Sequence, residues 1–211
     1  MNHKPYGFYE KFFKRFFDCF FSICAITILS PIFGIIVLLV RVNLGSPVIF
    51  VQERLGKDEK IFKLFKFRSM NTAKDEYGKL LPDGKRLTRF GKILRSTSLD
   101  ELPELLNIVK GDMSIVGPRP LLAEYQSYYT EKEHHRHDVR PGLSGLAQVN
   151  GRNNNSWESI FDWDLKYVNK ITFLGDVKII LNTVWKVFKR SDIQSGSQNF
   201  EGRLDVERSK N

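Results

Sequence analysis

The stretch Phe16–Val40, FFDCFFSICAITILSPIFGIIVLLV, decides how the rest of the chain is placed. It carries one charge, Asp18, over 25 residues, enough to reach across a bilayer's hydrocarbon core as a helix. It is too long for the core of a signal peptide, and no A-x-A-like site follows it. Ser30-Pro31 stands near its middle, where proline removes a backbone donor and crowds the preceding turn. Lys4, Lys11, Lys14 and Arg15 precede the run, and Arg41 and a basic region follow it. A spanning helix would leave one basic flank outside, against the positive-inside tendency. A helix that enters, breaks at Ser30-Pro31 and returns keeps both flanks on the cytoplasmic face. Its arms, about 15 and 10 residues, would reach ~22 and ~15 Å, short of the ~30 Å core. The alternative is one proline-kinked spanning helix. Cys19 and Cys24 lie inside the run, at a place and spacing that suit small apolar fillers rather than a disulfide framework or a zinc site.

Working outward, residues 1–15 form a basic, aromatic lead-in (Tyr6, Phe8, Tyr9, Phe12, Phe13) suited to a headgroup region. Residues 47–54 and 60–67 are short β-rich runs around Gly56–Glu59, which predicts a hairpin. Residues 71–87 read as a loop. Helical spacing recurs at Phe90, Ile93 and Leu94, and again from Leu99 to Val109, stopping at Gly111. Residues 121–133 are expected to be helical, and 138–155 to be a structured loop. A helix is expected after a Ser156 cap, and another from about Asp176 to Lys189. The latter sets Val177, Ile180, Leu181, Val184 and Phe188 against Lys178, Lys186, Lys189 and Arg190, which suits a core-packing helix or one docked on a membrane surface. From Ser191 the chain turns polar and is read as a weakly ordered tail. The expected organisation is a lead-in and membrane helix (1–41), one domain (42–190) and the tail (191–211). The fold class is α+β, mainly helical, with a short hairpin and amphipathic interfacial helices.

The formal charge of +9 on 211 residues points to an anionic partner: nucleic acid, phosphorylated metabolites or an anionic lipid surface. Against that background the run STSLDELPELL (96–106) places Asp100 and Glu101 side by side. Ser98 and Glu101 match a capping box, and acids suit a helix's first turn, so a purely structural pair is the plain reading. Arg95, Arg119 and Arg152 could supply guanidinium forks for phosphate oxygens. Arg119 stands in Gly117-Pro118-Arg119-Pro120, a stiff mount that suits a positioning residue. Adjacent acids on a helix point about 100° apart. One could then attack phosphorus while the other helps hold a hard cation, and Mg²⁺ often needs only one or two carboxylates plus phosphates.

These residues resemble those of the bacterial sugar transferases, the monotopic phosphoglycosyl transferases of glycan assembly, and above all their small single-domain members. The likeness runs from about Tyr9 to Ser191. It rests on SP (30–31), QERLG (52–56), KFRSM (66–70), GKILRSTSLDELPELLNIVKGDMSIVGPRP (91–120) and VRPGLSGLAQVNGR (139–152). The long central block is the specific one. The resemblance implies transfer of a phospho-sugar from a UDP-sugar to polyprenyl phosphate, with release of UMP and a need for Mg²⁺. It makes Asp100 the nucleophile toward the β-phosphorus and Glu101 its neighbour in metal binding or positioning, so both are expected metal ligands. It makes Lys66, Arg95, Arg119 and Arg152 the anion-holding set and adds Asp176 to the pocket, with a helix N-cap as that residue's alternative role. It also implies the re-entrant helix, a place on the cytoplasmic face of the bacterial inner membrane, and membrane lipid as a partner. It implies no nucleic acid and leaves a homo-oligomer open. Leu146 departs from the pattern, since related sequences usually carry Trp there; a ring-stacking or interfacial role at that position is therefore in doubt.

His134, His135 and His137 suit either a metal site or, more simply, a basic loop facing headgroups. Trp157, Trp163 and Trp185 read as core or interfacial anchors. Two other functions fit the bulk properties. A membrane-anchored basic binding protein for lipid or nucleic acid would show salt-dependent oligonucleotide binding without UMP release. A transferase of the sugar alone would release UDP.

Overall fold

In the computed structural model, residues 3–150, 156–189 and 203–209 are described. A π-helical turn, Tyr9–Phe13, leads into α1, Lys14–Leu44. The sequence suggests a break at Ser30-Pro31, yet α1 continues as helix through both residues. The reason is local: Pro31 has no N–H to offer the Thr27 carbonyl, and the Ser30 hydroxyl donates to that carbonyl instead, at 2.8 Å. α1 is also inverted relative to a soluble amphipathic helix. It buries Asp18 and Ser22 against the domain and turns Phe16, Phe20, Ile28, Leu38 and Val42 outward. Its buried apolar residues, Ile36, Val40 and Leu44, pack with Phe67 and Leu94 near the other end. Both ends of the helix therefore contact the same body of protein.

β1 (Ile49–Leu55) and β2 (Ile61–Phe67) form an antiparallel pair, with Ile49 opposite Phe67 and Leu55 opposite Ile61. This is the expected hairpin. α2 (Asp83–Arg86) is a single turn inside the stretch read as a loop. α3 (Arg89–Ser96) is capped by Thr88, whose hydroxyl accepts from Gly91 N at 3.0 Å. The pattern from Leu99 to Val109 divides in two: a 3₁₀ turn, Leu99–Glu101, and α4, Glu104–Lys110. Ser98 does not cap it. Its φ is +54°, a left-handed conformation, and its side chain makes no capping bond. Pro103, which has no N–H for the helical ladder, falls at the junction. α4 stops at Gly111, as expected, where φ is +100°.

β3 (Ser114–Val116) and β4 (Gly142–Ser144) pair in parallel. Between them, 121–133 is not one helix but a 3₁₀ segment, Ala123–Tyr128, followed by α5 (Glu131–His134), which has its own Thr130/Glu133 capping box. α6 (Leu146–Asn150) follows β4, so the expected loop contains regular structure. α7 (Trp157–Asn169) starts at the Ser156 cap. α8 (Phe173–Lys189) begins earlier than expected, with Thr172 Oγ1 accepting from Gly175 N at 3.1 Å. α9 (Leu204–Arg208) lies in the stretch read as a weakly ordered tail, but it docks: Leu204 is fully buried among Leu55, Leu121, Tyr125 and Trp157. Arg208 holds Glu133 with bonds of 2.6 and 2.7 Å.

The HHRH segment is not a loop but falls in two short helical turns, Glu131–His134 and His135–His137. Arg136 is buried on Asp164, His137 is buried beside Tyr129, His134 contacts Glu59, and His135 contacts Asp138. Trp157 belongs to the core, whereas Trp185 is exposed. Leu146 packs beside Val116, Tyr167 and Ile179.

Candidate active site

Asn107 sets the geometry. It is fully buried on α4; its Nδ2 donates to Lys63 O at 2.7 Å and its Oδ1 accepts from Phe65 N at 3.0 Å. A side-chain amide thus takes the place of a third strand along β2 and fixes α4 beside it. Lys66, one residue past this clamp, then meets the acids at the start of α4. Its Nζ lies 2.7 Å from Glu101 Oε1 and 3.1 Å from Glu104 Oε1.

Arg119 Nη2 reaches the same Glu101 oxygen, at 3.3 Å. Its mount is held by close backbone contact. A Cβ on Gly142 would fall 2.0 Å from Gly117 N, and one on Gly117 would fall 2.4 Å from Arg140 O. Only glycine lets the GPRP segment and β4 approach this closely. Arg95 Nε donates to Ser69 Oγ at 2.8 Å, leaving the charged group near Asp100.

Asp100 and Glu101 are adjacent in sequence but differ in electrostatics. Asp100 is buried and makes no hydrogen bond to another side chain among the described residues. Burial and then the charge of Glu101 push its carboxyl up to about 6, against the opposing pull of Lys66 and Arg95. At Glu101 burial pushes upward too, but Lys66 and Arg119 outweigh it and hold the group down at about 2. The cations therefore settle on Glu101, and Asp100 is the freer carboxylate. Two neighbouring acids whose environments drive them apart suit two different roles.

Glu104 is the residue that sequence reasoning missed. It is buried, shares Lys66 with Glu101, and burial together with Glu101 pushes it up to about 7. The available signal was spacing: on a helix, three residues after Glu101 is the same face. With Lys66, Arg119 and Arg54, Glu104 lines a narrow cleft with an enclosed volume of about 10 Å³.

The structure brings Lys66, Asp100, Glu101 and Arg119 together and sets Arg95 beside Asp100. It places Asp176 elsewhere. That carboxylate takes bonds from Tyr9 Oη (2.8 Å), Lys14 Nζ (2.7 Å) and Tyr167 Oη (2.9 Å), which join the lead-in to α8. The N-cap alternative does not hold either, because Thr172 caps α8. Arg152 lies outside the described residues. No group of three or more His, Cys, Asp or Glu gathers as a metal cage among the described residues. Mg²⁺ does not require one, and Asp100 and Glu101 offer the one or two hard oxygen donors it commonly takes from protein.

Relatives extend over the same residues. The family model described as "Bacterial sugar transferase" matches residues 9–190. An uncharacterized sugar transferase, EpsL, of Bacillus subtilis (strain 168) is 47% identical over 197 residues, 92% of this chain and 98% of its own length. A UDP-glucose:undecaprenyl-phosphate glucose-1-phosphate transferase of Klebsiella pneumoniae is 40% identical over 187 residues, 83% of this chain. An undecaprenyl-phosphate galactose phosphotransferase of Salmonella typhimurium is 36% identical over 199 residues, 86% of this chain. The chain spans only 40% and 41% of the lengths of these last two. A match of this extent, containing every block that builds the acid-and-cation cleft, means that the chain belongs to the bacterial sugar transferase family.

Proposed function

We propose that this chain transfers a phospho-sugar from a UDP-sugar to polyprenyl phosphate and releases UMP. The observation that carries the reading is the division of labour in the acid pair: one oxygen of Glu101 is held by both Lys66 and Arg119, and Asp100 is buried beside it without such a partner among the described residues. A carboxylate attacks an anionic diphosphate poorly unless cations blunt the repulsion. Lys66, Arg95 and Arg119 are placed to do so. A carboxyl pushed to about 6 is still ionised at neutral pH and is more basic than an ordinary aspartate.

In the first step a carboxylate oxygen of Asp100 bonds to the β-phosphorus. The bond from that phosphorus to the bridging oxygen breaks, and the electron pair leaves with UMP. In the second step a phosphate oxygen of the lipid bonds to the same phosphorus, and Asp100 departs as carboxylate. The product is polyprenyl diphosphate sugar. Mg²⁺, held by Asp100, Glu101 and substrate phosphates, would neutralise the diphosphate's charge. The names of relatives that carry UDP-glucose, galactose and undecaprenyl phosphate support this substrate class.

The same reading puts α1 in the membrane on the cytoplasmic face, entering and returning to one side as a helix bent at Pro31 rather than broken into two arms. Arg15 donates to Ile108 O and Val109 O, at 2.6 and 2.9 Å, near one end of the helix. Val40 and Leu44 are buried against the domain near the other. A domain on one side of a bilayer cannot grip both ends of a helix that crosses it. Outward phenylalanines with inward Asp18 suit lipid as the outer solvent. A basic binding face is the poorer reading, because Lys66 and Arg119 are turned inward onto acids.

The test is a panel of UDP-sugars with undecaprenyl phosphate and Mg²⁺, read as nucleotide released. One sugar should yield UMP in step with lipid product. Release of UDP, or of no nucleotide from any donor, would contradict the proposal.

A further inference from the structure

We infer that Arg54 and Arg119 form one phosphate-monoester subsite in the cleft, apart from Asp100, occupied first by the phosphate of departing UMP and then by that of the polyprenyl acceptor. This rests on the phosphoglycosyl-transfer reading above and adds Arg54, which that reading does not use.

Arg54 is brought to Arg119 by the backbone. Leu55 N donates to Leu121 O at 3.3 Å, and Arg54 bridges Leu122, so the end of β1 is stitched to the chain leaving GPRP. The two guanidinium groups then line one cleft together with Lys66 and Glu104. Arg119 has Glu101 as its ion-pair partner. Arg54 has no carboxylate within ion-pair distance among the described residues. Its Nη2 donates to Gln52 Oε1 at 2.8 Å, and its Nε is buried with no hydrogen-bond partner. Burial and then the neighbouring Arg119 pull Arg54 down to about 10, the direction expected of a cation that lacks an anion. A half-satisfied guanidinium beside a second one is a costly arrangement. A phosphate offers the missing charge and the acceptor oxygens, in a geometry that guanidinium forks match.

Position assigns the role. Arg54 lines the cleft with Arg119, Lys66 and Glu104, and Asp100 is not part of that lining, so Arg54 stands apart from the attacking carboxylate. In an in-line displacement the leaving oxygen stands opposite the attacking one. The acceptor must then approach the phosphorus from the side UMP vacated. One phosphate pocket therefore serves both steps in turn.

The experiment uses the full chain in lipid nanodiscs. UMP binding is measured by calorimetry, and steady-state kinetics are run with undecaprenyl phosphate. Loss of one charge-assisted contact predicts that Arg54→Gln weakens UMP binding roughly 10- to 100-fold and raises the KM for undecaprenyl phosphate by a similar factor. Arg54→Lys, which keeps the charge and loses the fork, should recover part of both. In the unaltered chain UMP should compete with undecaprenyl phosphate, a prediction that needs no variant to fold. Unchanged UMP affinity and KM in a folded Arg54→Gln protein overturn the subsite. So does a shift in only one of the two, or non-competitive inhibition. If the unaltered chain releases no UMP from any UDP-sugar, the underlying reading has failed; if it does and Arg54→Gln behaves like it, only the subsite has.

Discussion

Two regions of this molecule bury carboxylates beside a lysine, and they do opposite things with them. At the root of α1, Asp18 accepts from Ser114 Oγ at 2.6 Å and from Ile115 N at 3.1 Å, and Asp176 takes two tyrosine hydroxyls and Lys14. Each carboxylate there is met by donors, and the partners come from distant parts of the chain. Around the cleft, Glu101 and Glu104 share Lys66, and Arg119 also holds Glu101; among the described residues Asp100 has no side-chain donor and Arg54 has no carboxylate within ion-pair distance. A satisfied cluster holds two elements together. A cluster with leftover carboxylate and leftover cation is arranged for a ligand that brings phosphate. Burial is common to both regions, so the balance of partners is what separates structure from chemistry.

That contrast is breakable. The largest effect should come from Asp100→Asn, which removes the carboxylate proposed as nucleophile and keeps the shape. UMP release should fall by about 10⁴-fold or more, with the melting transition in detergent unmoved. Turnover within tenfold of the parent would return Asp100 to the structural class. Asp176→Ala should behave in the reverse way. Removing one partner of a buried pair costs about 3 kcal/mol, so the denaturation midpoint should drop while UMP release per folded molecule stays near the parent's. A variant that melts normally but turns over slowly would place Asp176 in the chemistry after all.

The smallest effect concerns pH. Burial, and then Arg136, pull His137 down to about 3, so the folded protein keeps this ring neutral while the unfolded chain protonates it below about 6.5. Stability should be fully present above 6.5 and fall by about 1.4 kcal/mol per pH unit below it, until the folded ring itself protonates. Urea midpoints at pH 7.5 and 5.5 check the slope, which should be shallower in His137→Gln. An equal slope in parent and variant would assign the acid sensitivity to other groups.

What the sequence made legible follows the same division. The hairpin, the stop at Gly111 and the Ser156 cap are local, and each was readable from a few neighbouring residues. Asp100, Glu101, Lys66 and Arg119 stand in dense, specific blocks. Asp176 was misplaced because its partners Tyr9 and Lys14 lie more than 160 positions away. Ser98 looked like a cap because the spacing fitted, but the left-handed turn ahead of Pro103 takes it out of reach. Glu104 was hidden by its more conspicuous neighbours, and Arg54 by a short motif that says little until β1 is seen to meet Leu121 and Leu122. The break at Pro31 was expected from proline alone; Ser30 had already supplied the replacement hydrogen bond.

The central claim is that a carboxylate oxygen of Asp100 bonds to phosphorus. Enzyme quenched after exposure to the productive UDP-sugar and Mg²⁺, without lipid acceptor, should gain the mass of one phospho-sugar, and peptide mapping should place it on the segment holding Asp100. No adduct, or an adduct on another peptide, would contradict the account.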